Sequence, residues 1–240
     1  MRIAVISDVH AAYAPFAAAL AAARSAGFDQ LILLGDMFTY GLNPVECAEI
    51  AFEAIDKDDA LLIGGNHDQL YIDLEQENRE YYNHLPGWIR ESVEWTWNSL
   101  GKQWPKSLSC IQEWRTGDLL MAHANPFGYG DWTYLSDEKN LCRAAQACAK
   151  QGVRYGGFGH LHRALHHSAT TVDIHVIGSI GQPRSREDQV PHWAMLDLSD
   201  SGLSVVRHDI AFDAKAHCAE IRGHNELSDN TKTKLCEFFE

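Results

Sequence analysis

Seven side chains of metal-ligand type fall in five short clusters along this chain of 240 residues. They are Asp8 and His10 in Ser-Asp-Val-His, Asp36 in Leu-Leu-Gly-Asp, Asn66 in Gly-Gly-Asn-His-Asp, His123 in Met-Ala-His-Ala, and His160 and His162 in Gly-His-Leu-His. Carboxylate and amide oxygens mixed with imidazoles, without a thiolate, suit two divalent cations such as manganese, iron, zinc, nickel or cobalt. That ligand set points to two-metal hydrolysis of phosphate esters.

Each cluster sits where a strand is expected to end. Apolar runs at 3–6, 31–34, 61–63 and 119–121 precede four of them, and the weaker run 155–158 precedes the fifth. An Ala-rich helix with Pro15 first is predicted over 15–26, and another over 44–56 with Pro44 near its start. Strand–helix alternation indicates an α/β fold with loops gathered at the carboxyl ends of the strands. Period-two alternation predicts that Asp8 and His10 share one side of an extended segment, and likewise His160 and His162.

Further strands are predicted at 173–178, 193–198 and 203–209, with a helix near 138–151. Residues 70–114 hold Trp88, Trp95, Trp97, Trp104 and Trp114 without a strand period and read as helices over or beside the sheet edge. Plain packing and a substrate-shaping cap are both open for them. The tail from about 212 reads as one or two outer helices. No linker or repeat divides the chain, so one domain over 1–240 is expected.

Taken singly, each motif has an ordinary structural explanation: a turn, a helix cap or a buried histidine. Taken in order, D-x-H, G-D, G-N-H-[DE], H and G-H-x-H across residues 8–162 resemble the calcineurin-like metallophosphoesterases. The Gly178–Arg184 stretch is similar to a loop in small prokaryotic phosphodiesterases and dinucleoside-polyphosphate hydrolases of that superfamily. The resemblance implies a four-layer α-β-β-α sandwich of two mixed sheets. It implies one metal held by Asp8, His10, Asp36 and His162, and a second held by Asp36, Asn66, His123 and His160. It further implies attack on phosphorus by a metal-bridging hydroxide. His67 would then stabilise the transition state or protonate the leaving oxygen, unless it only orients Asn66. Arg184 is a candidate phosphate clamp, with a solvated surface arginine as the alternative.

The second motif departs from the protein phosphatase branch, which extends it to G-D-x-x-D-R-G. Here Thr39 and Tyr40 replace the carboxylate and the guanidinium, which argues against a protein phosphatase. The expected function is hydrolysis of a phosphodiester or phosphoanhydride in a nucleotide-type or other small phosphorylated substrate. A phosphomonoesterase and a non-catalytic scaffold of the same fold are the alternatives.

The formal charge of −13 argues against extended nucleic-acid binding, which needs clustered Lys and Arg. No apolar stretch is long enough to span a bilayer, and the chain enters a strand at once instead of a signal peptide. The six scattered cysteines form no CxxC pair, consistent with free thiols in the cytoplasm. Oligomeric state is open.

Overall fold

A computed structural model of the protein describes residues 1–184 and 189–239. Residues 185–188 and 240, which the single-domain expectation includes, lie outside the described residues. The strands are β1 (Arg2–Ile6), β2 (Gln30–Leu33), β3 (Leu61–Ile63), β4 (Cys110–Ile111), β5 (Glu113–Thr116), β6 (Leu119–Ala122), β7 (Tyr155–Phe158), β8 (Leu165–Ser168), β9 (Asp173–Val176), β10 (His192–Ser199) and β11 (Gly202–Asp209). The helices are α1 (Tyr13–Ala26), α2 (Pro44–Asp58), α3 (Asn66–Glu75), α4 (Glu80–His84), α5 (Gly87–Ser99), α6 (Glu138–Lys150), α7 (Ala214–Gly223) and α8 (Asp229–Cys236).

Two sheets form, in the orders β11-β10-β1-β2-β3-β4 and β5-β6-β7-β9-β8. Both are mixed: β1 runs parallel to β2 and antiparallel to β10, and β6 runs parallel to β7 and antiparallel to β5. Side-chain alternation assembles the layers. Ile3, Val5, Ile32 and Leu34 face the second sheet and pack with Leu119 and Met121. Ala4, Ile6, Leu31 and Leu33 point the other way, into the core with Phe16 and Ala19 of α1 and Cys47 and Ala51 of α2. Leu120 and Ala122 of the second sheet pack on Leu141, Ala144 and Cys148 of α6. The result is the α-β-β-α sandwich. Its apolar strands are the ones visible in the sequence because both of their faces are buried.

Three strands were not anticipated. β4 has two residues, β5 alternates exposed and half-buried side chains, and β8 reads Leu-His-His-Ser at a sheet edge. None buries enough apolar surface to leave a pattern. The Trp-rich stretch contains the second half of α3, then α4 and α5, and ends in β4 and the start of β5, so it is not helical throughout. Its rings reach the loop after β2: Trp104 meets Phe38 edge-on at 5.5 Å, and Trp88 stacks on Tyr40 at 5.8 Å. The tail helices close a small core of their own around Tyr40, Cys218, Ile221 and Leu235.

Candidate metal centre

The five clusters converge at the carboxyl ends of β1, β2, β3, β6 and β7, on loops between the two sheets. Asp8, His10, Asp36 and His162 are buried and offer ligand atoms within 4.8 Å of one another. Asp36, His123 and His160 do the same, so Asp36 is common to both groups. Its Oδ2 lies 3.8 Å from His10 Nε2 on one side and 3.4 Å from His123 Nε2 on the other. Its Oδ1 accepts a 2.8 Å hydrogen bond from the His67 backbone N–H.

The pairing within Asp-x-His and His-x-His arises differently from the expected strand alternation. Asp8, His10, His160 and His162 have φ of 53°, 48°, 65° and 58°, and Asp36, Thr39 and Tyr40 have 55°, 77° and 72°. These residues turn sharply in the left-handed region, at about 1–3 kcal/mol each for a side chain with a Cβ. The surrounding hydrogen bonds hold them there. Asp68 accepts from the backbone N–H groups of Asp36, Met37 and Gly65 at 2.8, 2.9 and 2.8 Å, bracing the two loops together. Gly65 must lack a side chain, since a methyl group there would run into Asp36 Oδ1.

Each imidazole is aimed by a main-chain carbonyl. The Nδ1 of His10, His123 and His162 lies 3.0, 2.7 and 2.8 Å from the carbonyl oxygens of Phe38, Leu34 and Gln182. His160 instead places Nε2 3.0 Å from the Trp132 carbonyl, leaving Nδ1 for the site. Such bonds set the tautomer and direct the free nitrogen inward. Burial holds His10 and His162 well below the ordinary histidine range and His160 at about 3, so these rings keep their lone pairs. At Asp36 burial pushes upward, but the imidazoles of His123, His67 and His10 outweigh it and keep the carboxylate ionised.

Among the buried side-chain atoms without a hydrogen-bond partner, two belong to the predicted ligand set: Asn66 Oδ1 and His123 Nε2. Burial works to lower the His123 pKa, yet Asp36 and Asp8 push it up to about 10, so this position calls for positive charge beside the carboxylates. A dication satisfies that need and both orphaned atoms. The donor set therefore suits divalent metal, with ligand atoms grouped at Asp8, His10, Asp36 and His162 and at Asp36, His123 and His160, and Asn66 Oδ1 left unpaired.

Several contacts of the site were invisible in the sequence because they join distant segments. Tyr81 of α4 accepts a 3.2 Å hydrogen bond from Asn66 Nδ2, which turns Asn66 Oδ1 away from it. The Thr39 hydroxyl lies 3.0 Å from His67 Nδ1, and the Tyr40 hydroxyl 3.2 Å from His67 Nε2. Tyr134 stacks flat on His160, ring centroids 4.1 Å apart. Arg184 is half-buried, donates to Gln182 Oε1, and has its guanidinium 4.9 Å from the Phe238 ring centroid and 6.0 Å from that of Tyr40. A further group, Glu138, Cys142 and His167, brings ligand atoms equally close, but its thiol already donates to Glu138 and the carboxylate is exposed.

Two mixed sheets flanked by helices carry a buried Asp/His cluster able to hold metal, and the chain belongs to the calcineurin-like phosphoesterase superfamily, whose domain model matches residues 1–201. It is similar to an uncharacterized protein of Methanocaldococcus jannaschii, 27% identical over 236 residues that cover 89% of this chain and 88% of the relative. A hypothetical protein from Pyrococcus horikoshii shares the fold with a TM-score of 0.81 at 17% identity, over 98% of this chain and 97% of that one. A metallophosphoesterase from Sphaerobacter thermophilus does so with a TM-score of 0.74 at 23% identity, over 99% of each chain. No helix among the described residues is long and apolar enough to cross a membrane.

Proposed function

We propose that the protein is a dinuclear metal-dependent hydrolase of phosphodiester or phosphoanhydride bonds in a small phosphorylated substrate of nucleotide type. The observation that carries this reading is the position of Asp36 Oδ2, between His10 Nε2 and His123 Nε2 and shared by both ligand groups. Bound there, divalent cations would acidify a water molecule and neutralise charge on the phosphoryl oxygens.

The chain's own residues divide the remaining work. His67 is buried beside Asp36, and its Nε2 side faces the Tyr40 hydroxyl, where it can donate to an oxygen of the reacting phosphate or leaving group. Arg184 lies near enough to depress the pKa of both His67 and His162, so its charge is felt at the centre. We assign it the role of phosphate anchor, held in place by Gln182 and by the faces of Tyr40 and Phe238. The rings of Tyr40, Tyr134 and Trp88 give the cleft an apolar wall suited to a flat organic group.

The test is a screen of manganese-, zinc-, nickel- and cobalt-loaded protein against bis-p-nitrophenyl phosphate, p-nitrophenyl phosphate, cyclic nucleotides and dinucleoside polyphosphates. Turnover of diesters or anhydrides that is lost in both Asp36→Asn and His67→Ala supports the reading. Preference for the monoester would move the protein to the phosphomonoesterase alternative. Metal-loaded protein that turns over none of these substrates would favour the scaffold.

A further inference from the structure

The residue that departs most plainly from the protein phosphatase pattern, Thr39, is fully buried against the proposed catalytic histidine. Its Oγ1 lies 3.0 Å from His67 Nδ1 and 2.7 Å from the hydroxyl of Tyr71, which is also fully buried. Tyr71 follows His67 by one helical turn of α3, so both side chains lie on the helix face that meets the loop after β2. Thr39 reaches this position through a left-handed backbone, φ 77°, followed by Tyr40 at 72°. The Tyr40 backbone N–H is secured by Ser92 Oγ of α5 at 2.9 Å. A strained backbone held from two sides is the mark of a side chain whose placement matters.

Two polarities of this chain satisfy every buried hydroxyl, and in one the protons run from Tyr71 to His67. A buried phenol must give its proton to an acceptor, and Thr39 Oγ1 is at hydrogen-bonding distance. Thr39 then has its own proton to give, and His67 Nδ1 is the acceptor on its other side. An imidazole that accepts at Nδ1 carries its proton at Nε2. In the other, the Tyr71 phenol donates to the Thr96 hydroxyl, His67 Nδ1–H donates to Thr39, and the Tyr40 phenol, which receives from Arg184, donates to Nε2.

We infer that Tyr71 and Thr39 are positioning residues: their hydroxyl chain holds His67 through Nδ1 in a single tautomer and turns Nε2 toward the metal centre. This deepens the hydrolase reading above and rests on it. Two neutral hydroxyls thus orient the ring where the protein phosphatase pattern has a carboxylate. The Tyr40 hydroxyl, 3.2 Å from Nε2, is the partner that a substrate oxygen would displace.

The experiment combines kinetics on the preferred phosphate substrate with nitrogen NMR of zinc-loaded, 15N-histidine-labelled protein, the His67 signals being assigned by their loss in His67→Gln. Metal content is measured for every variant. Thr39→Val is expected to lower kcat about ten- to a hundredfold at nearly constant KM, and Thr39→Ser to restore most of it. Tyr71→Phe, which leaves the strained loop untouched, is expected to lower kcat by a smaller factor and serves if Thr39→Val fails to fold. The wild-type spectrum is expected to show a single His67 tautomer, with the balance shifted in Tyr71→Phe. A mixture of both tautomers in the wild type would overturn the inference, as would wild-type kcat in both Thr39→Val and Tyr71→Phe while His67→Ala is inactive. Full activity in His67→Ala would instead remove the catalytic role of His67 itself, and the inference with it.

Discussion

The Nε2 atoms of His10 and His162 face each other across 3.0 Å, from positions 152 residues apart in the chain. Both rings have Nδ1 tied to a carbonyl, so both facing atoms are lone pairs in neutral imidazoles. Two such lone pairs repel at this distance unless a cation lies between them, which couples folding to metal. Chelator-treated protein is therefore expected to melt about 5–10 °C below protein with metal at a hundred times its dissociation constant. Calorimetry with and without added manganese or zinc checks this, and equal melting temperatures would count against the site.

The shared position of Asp36 makes a sharper claim than loss of activity. Asp36→Asn keeps the shape of the side chain but weakens both metal positions, so metal content as well as rate should fall. Turnover of an aryl phosphodiester is expected to drop at least about a hundredfold. Elemental analysis should find fewer than two metals per chain. A variant retaining two metals and near-normal turnover would refute the shared role.

At Gly65 the constraint is steric. Gly65→Ala would force its methyl group onto Asp36 Oδ1 and the strained loop around it. We expect a loss of about 1–3 kcal/mol in denaturant unfolding, as for other overpacked interiors. Metal affinity should fall in parallel, because the atom displaced is a carboxylate oxygen of the centre. An alanine variant as stable as the wild type would show that the loop yields more easily than its geometry implies.

The tail is fastened by a group that responds to acid. Ser228 donates to the Glu91 carboxylate through its backbone N–H and its hydroxyl, and the Thr231 hydroxyl donates there too. Burial tends to raise the Glu91 pKa, but these hydrogen bonds outweigh it and hold it below the usual glutamate value. A depressed pKa means stabilisation that is fully present above the unfolded value of about 4.3 and lost as pH falls through the lower folded value. Limited proteolysis of the tail with an acid-active protease should accelerate over that window in the wild type. In Glu91→Gln the tail should be labile already at neutral pH and lack the acid transition.

Much of this was legible in the residues themselves, for a physical reason. Strands β1, β2, β3 and β6 are buried on both faces and leave unbroken apolar runs, so the carboxyl ends bearing Asp8, Asp36, Asn66 and His123 could be located directly. The reason for the Asp-x-His spacing could not, because left-handed φ at Asp8 and His10 is imposed by contacts with the loop after β2. The same holds for Thr39. Its place opposite His67 depends on a fold that brings residues 28 apart into contact, and its type alone marked only the loss of a carboxylate. Edge strand β8 escaped because a half-exposed Leu-His-His-Ser has no period to read. Phe238, near the end of a polar tail, gave no sign that its ring would rest on Arg184.

The carbonyls that aim the four imidazoles belong to Leu34, Phe38, Trp132 and Gln182, and peptide oxygens are common to every residue type. Exchange of those four side chains alters packing but cannot delete an acceptor. Orientation of the rings is thus inherited with the path of the chain. Divergent copies can drift freely at the four supporting positions while the centre keeps its aim, and they lose it abruptly when a candidate ligand or a turn residue changes.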